Sequence, residues 1–92
     1  MKLAIVIPAF NEANSIASVV AAVSRYGTPV VVDDGSHDDT GIRAAAAGAV
    51  VVRQSNGGYD SALATGFASA EKIGVDALVT IHADRQLDAA AI

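Results

Sequence analysis

Four short apolar runs rich in β-branched residues punctuate the chain, at residues 3–7, 30–32, 50–52 and 77–81. They are apolar throughout rather than alternating, the pattern of strands covered on both faces of a parallel sheet. The segments between them have helical period. Ile16, Val19, Val20 and Val23 fall at i, i+3, i+4 and i+7, on one face of a first helix. A second segment, around residues 39–47, is nearly all alanine after Ile42, and a third carries Leu63, Phe67 and Ala70 as its apolar face. Each segment closes just before a glycine (Gly27, Gly48, Gly74), where a left-handed C′ residue is expected. Asn11, Asp38 or Asp39, and Asp60 are the candidate N-caps. The pattern predicts β-α-β-α-β-α-β, an α/β three-layer sandwich around a parallel sheet with right-handed crossovers.

Composition thins this core without changing its plan. Hydrophobic residues make up 52% of the 92, but 20 residues are alanine and only Phe10, Tyr26, Tyr59 and Phe67 are aromatic. Alanine buries little area, so these residues read as a close helix-to-sheet packing layer. The length predicts one domain. The longest apolar stretch, residues 44–52 with one glycine, is far short of the roughly 20 residues a membrane span needs, and no basic segment leads into an apolar leader. With no cysteine, disulfide frameworks and thiolate metal sites are excluded. A net charge of −4 and a pI near 4.7 argue against nucleic acid as partner. They leave small anionic ligands open, because a metal ion can mediate those.

The chain ends soon after the fourth strand, where residues 86–92 read as the first turn of another helix. A four-stranded parallel sheet leaves an edge and a face uncovered. The expectation is a piece of a larger domain, with a homo-oligomer through the exposed sheet edge as the alternative.

In open parallel sheets, ligands bind beyond the carboxyl ends of the strands. Pro8, Ala9, Phe10, Asn11 and Glu12 follow the first strand, and Asp33, Asp34, Gly35 and Ser36 the second. Arg53, Gln54, Ser55, Asn56, Gly57, Gly58, Tyr59 and Asp60 follow the third, and His82, Ala83, Asp84, Arg85 and Gln86 the fourth. Four of the ten acidic residues sit in the loop after the second strand, and the helices are mainly small and apolar. That segregation is the residue-level signal of a site.

These four segments, in this order, resemble family 2 glycosyltransferases of the GT-A fold. Ile5-Val6-Ile7-Pro8-Ala9-Phe10-Asn11-Glu12 is similar to the family's opening strand and turn, and Val31-Val32-Asp33-Asp34-Gly35-Ser36, with Asp38 and Thr40, to its second block. Asn56-Gly57-Gly58-Tyr59 through Phe67 resembles the third, and His82-Ala83-Asp84-Arg85-Gln86 stands at the Asp-x-Asp metal motif. The resemblance covers essentially the whole chain and is nearest to dolichyl-phosphate-mannose-synthase-like and related bacterial sugar transferases. It implies that residues 1–92 are the nucleotide-sugar-binding part, the N-terminal half of a Rossmann-like GT-A domain truncated before the acceptor half. By this resemblance Pro8, Ala9, Phe10, Asn11, Glu12, Asp33, Asp34, Asn56, Gly58 and Ala83 line a UDP- or GDP-sugar. Asp84, with His82 and Gln86, holds Mg²⁺ or Mn²⁺. The acceptor stays open between a polyprenyl phosphate and a glycan, and the location implied is cytoplasmic, at the inner membrane face in a full-length enzyme. Two positions depart from the family: His82 stands where Asp is usual, favouring Mn²⁺ over the oxygen-preferring Mg²⁺, and Arg85 adds a cation beside the ion.

Simpler readings stand beside these. Asp33 to Ser36 has the composition of a strand-ending turn, although two adjacent carboxylates after a buried strand favour a site. Pro8 terminates a strand, Asp38, Asp39, Tyr59 and Asp60 read as helix entries, and His37 as a solvent-facing loop residue. Asn11 and Glu12 divide evenly between helix start and ligand. A non-catalytic interaction module and, last, a receiver-type phosphoryl-transfer domain are the competing classes; the second lacks a lysine at this edge, since the only lysines are Lys2 and Lys72.

Overall fold

A computed structural model describes residues 2–81. The elements are β1 (Leu3–Ala9), α1 (Ile16–Ser24), β2 (Thr28–Asp34), α2 (Thr40–Ala46), β3 (Val50–Gln54), α3 (Tyr59–Ile73) and β4 (Ala77–Thr80). All strand pairs are parallel and the order is β3-β2-β1-β4. The α/β alternation read from the sequence is the one observed.

Two apolar layers hold the sheet. On one face Ile5, Ile7 and Ala9 of β1 and Val31 of β2 pack against Ile16, Val19, Val20 and Val23 of α1 and Ala44 of α2. On the other, Ala4, Val6 and Val30 meet Ala70 of α3, flanked by Leu63, Ile73 and Val75. The central strands β1 and β2 are thus buried on both faces, whereas β3 and β4 are only partly covered, with Val50 and Leu78 exposed. The uniform-burial reading holds for the central pair and fails at the edges.

Three local expectations are corrected. The apolar face assigned to α3 is turned: Ala62, Gly66 and Ala70 are buried while Phe67 is exposed. A Cβ on Gly66 would lie 2.3 Å from a methyl of Val6, so glycine lets this helix approach the sheet more closely than a Phe-lined face could. Gly48 and Gly74 are left-handed, and Gly48 closes α2 with Ala49 N–H donating to the Ala44 carbonyl, a Schellman ending. Gly27 is not left-handed; it is required instead because a Cβ there would meet the Leu3 carbonyl oxygen at 2.5 Å. The N-cap positions belong to Ser15, Asp39 and Gly58 rather than Asn11 and Asp60, and Asp60 lies in the first turn of α3.

Candidate functional site

The chain leaves β1 toward β2 and β3, then crosses to the other side of β1 to form β4. The reversal falls between β1 and β4, and in open parallel sheets the crevice at the carboxyl ends beside such a reversal is where ligands bind. Three described loops meet at that end: residues 10–15, 35–39 and 55–58.

Successive strand residues face opposite sides, so the neighbouring carboxylates of Asp33 and Asp34 enter different environments. Asp33, fully buried, lies on the α1–α2 side. Its Oδ1 accepts the Ser36 backbone N–H at 3.0 Å and its Oδ2 accepts Arg53 Nη1 at 2.6 Å. Arg53 Nη2 also donates to the Ser36 carbonyl at 2.8 Å, so one guanidinium spans both ends of the turn. The first turn of α2 closes over this carboxylate at Gly41, where a Cβ would stand 2.8 Å from Oδ2.

Asp34, buried on the α3 side, holds the loop after β3. Gln54 Nε2 and Gly57 N–H donate to Oδ1 at 2.8 and 2.9 Å, and Gly58 N–H to Oδ2 at 3.0 Å. The Gln54 amide is itself oriented by the Thr65 hydroxyl of α3. Burial alone would raise the Asp34 pKa, but the hydrogen bonds from Gln54, Gly57 and Gly58 together outweigh it and hold the carboxyl below its ordinary value. Directly after Asp34, Gly35 turns the chain at φ +78°, with its Cα side so near the Asn56 backbone nitrogen that a Cβ would lie 2.8 Å away. Only glycine satisfies both demands.

The loops after β1 and β2 are stitched together. Asn11 N–H donates to Ser36 Oγ at 2.9 Å, and the Asn11 side-chain oxygen accepts His37 N–H at 2.8 Å. Glu12 N–H donates to Thr40 Oγ1 at 2.8 Å, and Ala13 N–H to Asp38 Oδ2 at 3.3 Å. Arg43 Nη1 returns to the Ala13 carbonyl at 3.1 Å. Asn11 sits at φ +53°, a left-handed conformation that asparagine tolerates better than most residues. Asp38 is exposed, and its bond with the Thr40 hydroxyl leads the causes that lower its pKa, followed by opposing desolvation and further backbone bonds.

Those of the residues singled out from the sequence that the structure describes gather at one end of the sheet. Pro8 and Ala9 close β1, with the Ala9 side chain in the core. Phe10 is exposed and meets the His37 ring edge-on at 6.3 Å, and His37 is itself an exposed loop residue, as read from the sequence. Asn11 ties the first two loops, Glu12 is half-buried, and Asn56 and Gly58 stand in the loop held by Asp34. Ile81 N–H donates to the Val6 carbonyl at 3.1 Å, which brings the end of β4 beside β1. His82, Ala83, Asp84 and Gln86 lie outside the described residues. Among the described residues no three His, Cys, Asp or Glu side chains converge as metal ligands.

Arg53, Gln54, Ser36 and Thr40 were read as lying at this edge but given no ligand role, and they carry the site's internal bonds. A signal for two of them was present: Val30-Val31-Val32-Asp33-Asp34 and Val50-Val51-Val52-Arg53-Gln54 are parallel runs. They pair in register, Asp33 beside Arg53 and Asp34 beside Gln54.

A parallel sheet wound on both faces, with polar loops at the carboxyl ends beside a strand reversal, defines a Rossmann-like nucleotide-binding fold. Residues 4–92 match the family described as glycosyl transferase family 2, and the chain belongs to that family. Uncharacterised glycosyltransferases of Mycobacterium tuberculosis and Mycobacterium bovis are each 38% identical over 85 residues, covering 92% of this chain and 38% of theirs. The chain thus spans well under half the length of the curated relatives it matches. Among solved structures, glucosyl-3-phosphoglycerate synthase from M. tuberculosis superposes with a TM-score of 0.76 at 33% identity, over 92% of this chain and 35% of that one. The same synthase in complex with Mn²⁺, UDP-glucose and phosphoglyceric acid gives 0.73 at 33% identity, over 90% and 33%. With Mg²⁺ and UDP the values are again 0.73, 33%, 90% and 33%.

Proposed function

We propose that this chain is the donor-binding part of a metal-dependent glycosyltransferase, which moves a sugar from a UDP- or GDP-sugar to an acceptor. The observation that carries the reading is the convergence of the loops after β1, β2 and β3 at the carboxyl ends of the strands, locked by hydrogen bonds between them. Asp34 has three of its roughly four acceptor positions filled, and the remaining one suits the imide N–H of uracil or guanine. Phe10, Asn11, Glu12, Asn56 and Gly58 surround that position in this reading, with Pro8, Ala9 and Ala83 contributing backbone. The similar synthase bound to UDP-glucose favours a uridine donor over a guanosine one.

The proposed cofactor is Mg²⁺ or Mn²⁺, as in the complexes of that synthase. β4 ends beside β1, and His82, Asp84 and Gln86 follow Ile81 directly in sequence. Imidazole, carboxylate and amide oxygen form a donor set suited to Mn²⁺, with Asp84 the principal ligand. When bound, such an ion neutralises the charge of a diphosphate leaving group. The acceptor, whether a polyprenyl phosphate, a glycan or a small phosphorylated acid, is assigned to parts of the relatives that this chain does not span.

Calorimetric titration of the chain with UDP and GDP, with and without Mn²⁺, tests the reading. Metal-dependent binding, tighter for UDP, is expected, and sugar transfer from UDP-glucose by residues 1–92 alone is expected to be absent. Nucleotide binding to neither, or transfer at the rate of a complete relative, would sink it.

A further inference from the structure

We infer that Arg53 is a positioning residue for the donor site and that Asp33, despite standing beside Asp34, is its anchor rather than a nucleotide ligand. The inference rests on the donor-site reading above and deepens it. Asp33 has no exposed surface: Gly41 closes over its Oδ2, and each oxygen accepts one bond, from Ser36 N–H and from the Arg53 guanidinium, so it is burial that closes its remaining acceptor positions. A ligand has no approach to it.

The geometry continues outward from that pair. Arg53 Nη1 grips Asp33 and Nη2 grips the Ser36 carbonyl, so the planar fork sets the turn from both ends, which a lysine ammonium cannot do in the same way. The turn presents Ser36 Oγ to Asn11 N–H, and the Asn11 side chain then accepts His37 N–H. Asn11 is held left-handed in this way, directly after Phe10, whose exposed ring contacts His37. A residue on the edge strand β3 thereby sets the conformation of the loop after β1, two strands away, through three consecutive hydrogen bonds. Arg53 is 61% exposed at its side chain, so its contribution lies in fork geometry more than in the buried charge of a sequestered ion pair.

Arg53→Met and Arg53→Lys, with Arg25→Met as a control on the cation stacked over Tyr26 far from this edge, test the assignment. Amide NMR spectra of the free chains and UDP affinity in Mg²⁺ are measured at a temperature where each variant is folded. Arg53→Met is expected to shift the amide resonances of Ser36, Asn11 and His37 and to weaken UDP binding about tenfold, the size of one lost charged hydrogen bond. Arg53→Lys restores the ion pair without the second arm and is expected to fall between the two. Arg25→Met should match the unmodified chain. If Arg53→Met melts lower but its folded form keeps the Asn11 resonance and the UDP affinity, Arg53 is merely structural and the inference is overturned while the donor-site reading stands. If Arg53→Met does not fold, Arg53→Lys decides by the same two readouts. Absence of UDP binding by the unmodified chain overturns the donor-site reading itself and the affinity claim with it.

Discussion

Asp34 shows how a buried carboxylate can be kept charged by the backbone it organises. Two main-chain N–H groups and one side-chain amide point at it, and its pKa lies below the ordinary 3.8 despite burial. A folded-state pKa below the unfolded one adds stability above the unfolded value, and that stability is lost as pH falls through the folded value. The melting temperature is therefore expected to drop as pH falls below about 4, with Asp34 and the exposed, likewise lowered Asp38 both contributing. Asp34→Asn turns one acceptor oxygen into an NH₂ that faces the Gly58 N–H. It is expected to cost about 1–3 kcal/mol in urea unfolding at neutral pH and to make the acid slope shallower, because one titrating group is gone. An unchanged slope would show that the Asp34 hydrogen bonds do not carry the acid sensitivity.

At the scale of elements, the smallest residue lets a helix approach the sheet closely. Gly66 lets α3 lie against Val6 and Val32 of the sheet. Alanine is favoured over glycine in a helix interior by about 1 kcal/mol, but the added methyl would sit 2.3 Å from a Val6 methyl. Overpacking of that kind costs about 1–3 kcal/mol, so Gly66→Ala is expected to destabilise on balance, read as a lower midpoint in urea at unchanged slope. A stabilised Gly66→Ala would mean that α3 stands farther from the sheet. Periodicity pointed to Leu63, Phe67 and Ala70 as the buried face, since large apolar residues dominate any such pattern. Ala70 is buried and Leu63 packs beside it, but close packing put Ala62 and Gly66 against the sheet in place of Phe67, where side-chain size rather than hydrophobicity decides.

For the whole molecule, the outer strands matter most. β3 exposes Val50 and β4 exposes Leu78, and among the described residues neither strand has a second neighbour. Open edges with apolar side chains template pairing between chains, and lysine at such positions suppresses it. Sedimentation at rising concentration is expected to show self-association of this chain, reduced in Val50→Lys and Leu78→Lys while their circular dichroism stays that of the unmodified chain. Association unaffected by both substitutions would place the contact elsewhere.

The alternation of strand and helix and the polar edge after each strand were determined by sequence alone, whereas which two strands are central was decided by the sheet order. Apolar run length and helical period are local properties, and burial acts on them directly. The first helix is the clearest case, since Ile16, Val19, Val20 and Val23 are the residues it buries. The paired carboxylates were also legible as special, because two charges after a buried strand need partners. Who those partners are was decided only by the tertiary structure. Parallel register sets Arg53 beside Asp33 and Gln54 beside Asp34 across twenty residues of chain, and the strand's alternation sends the two acids to opposite faces. The hydrogen bonds that fix Asn11 and the loop at residues 56–58 join segments distant in sequence, and no local pattern encodes a contact whose other half is supplied by a neighbouring strand.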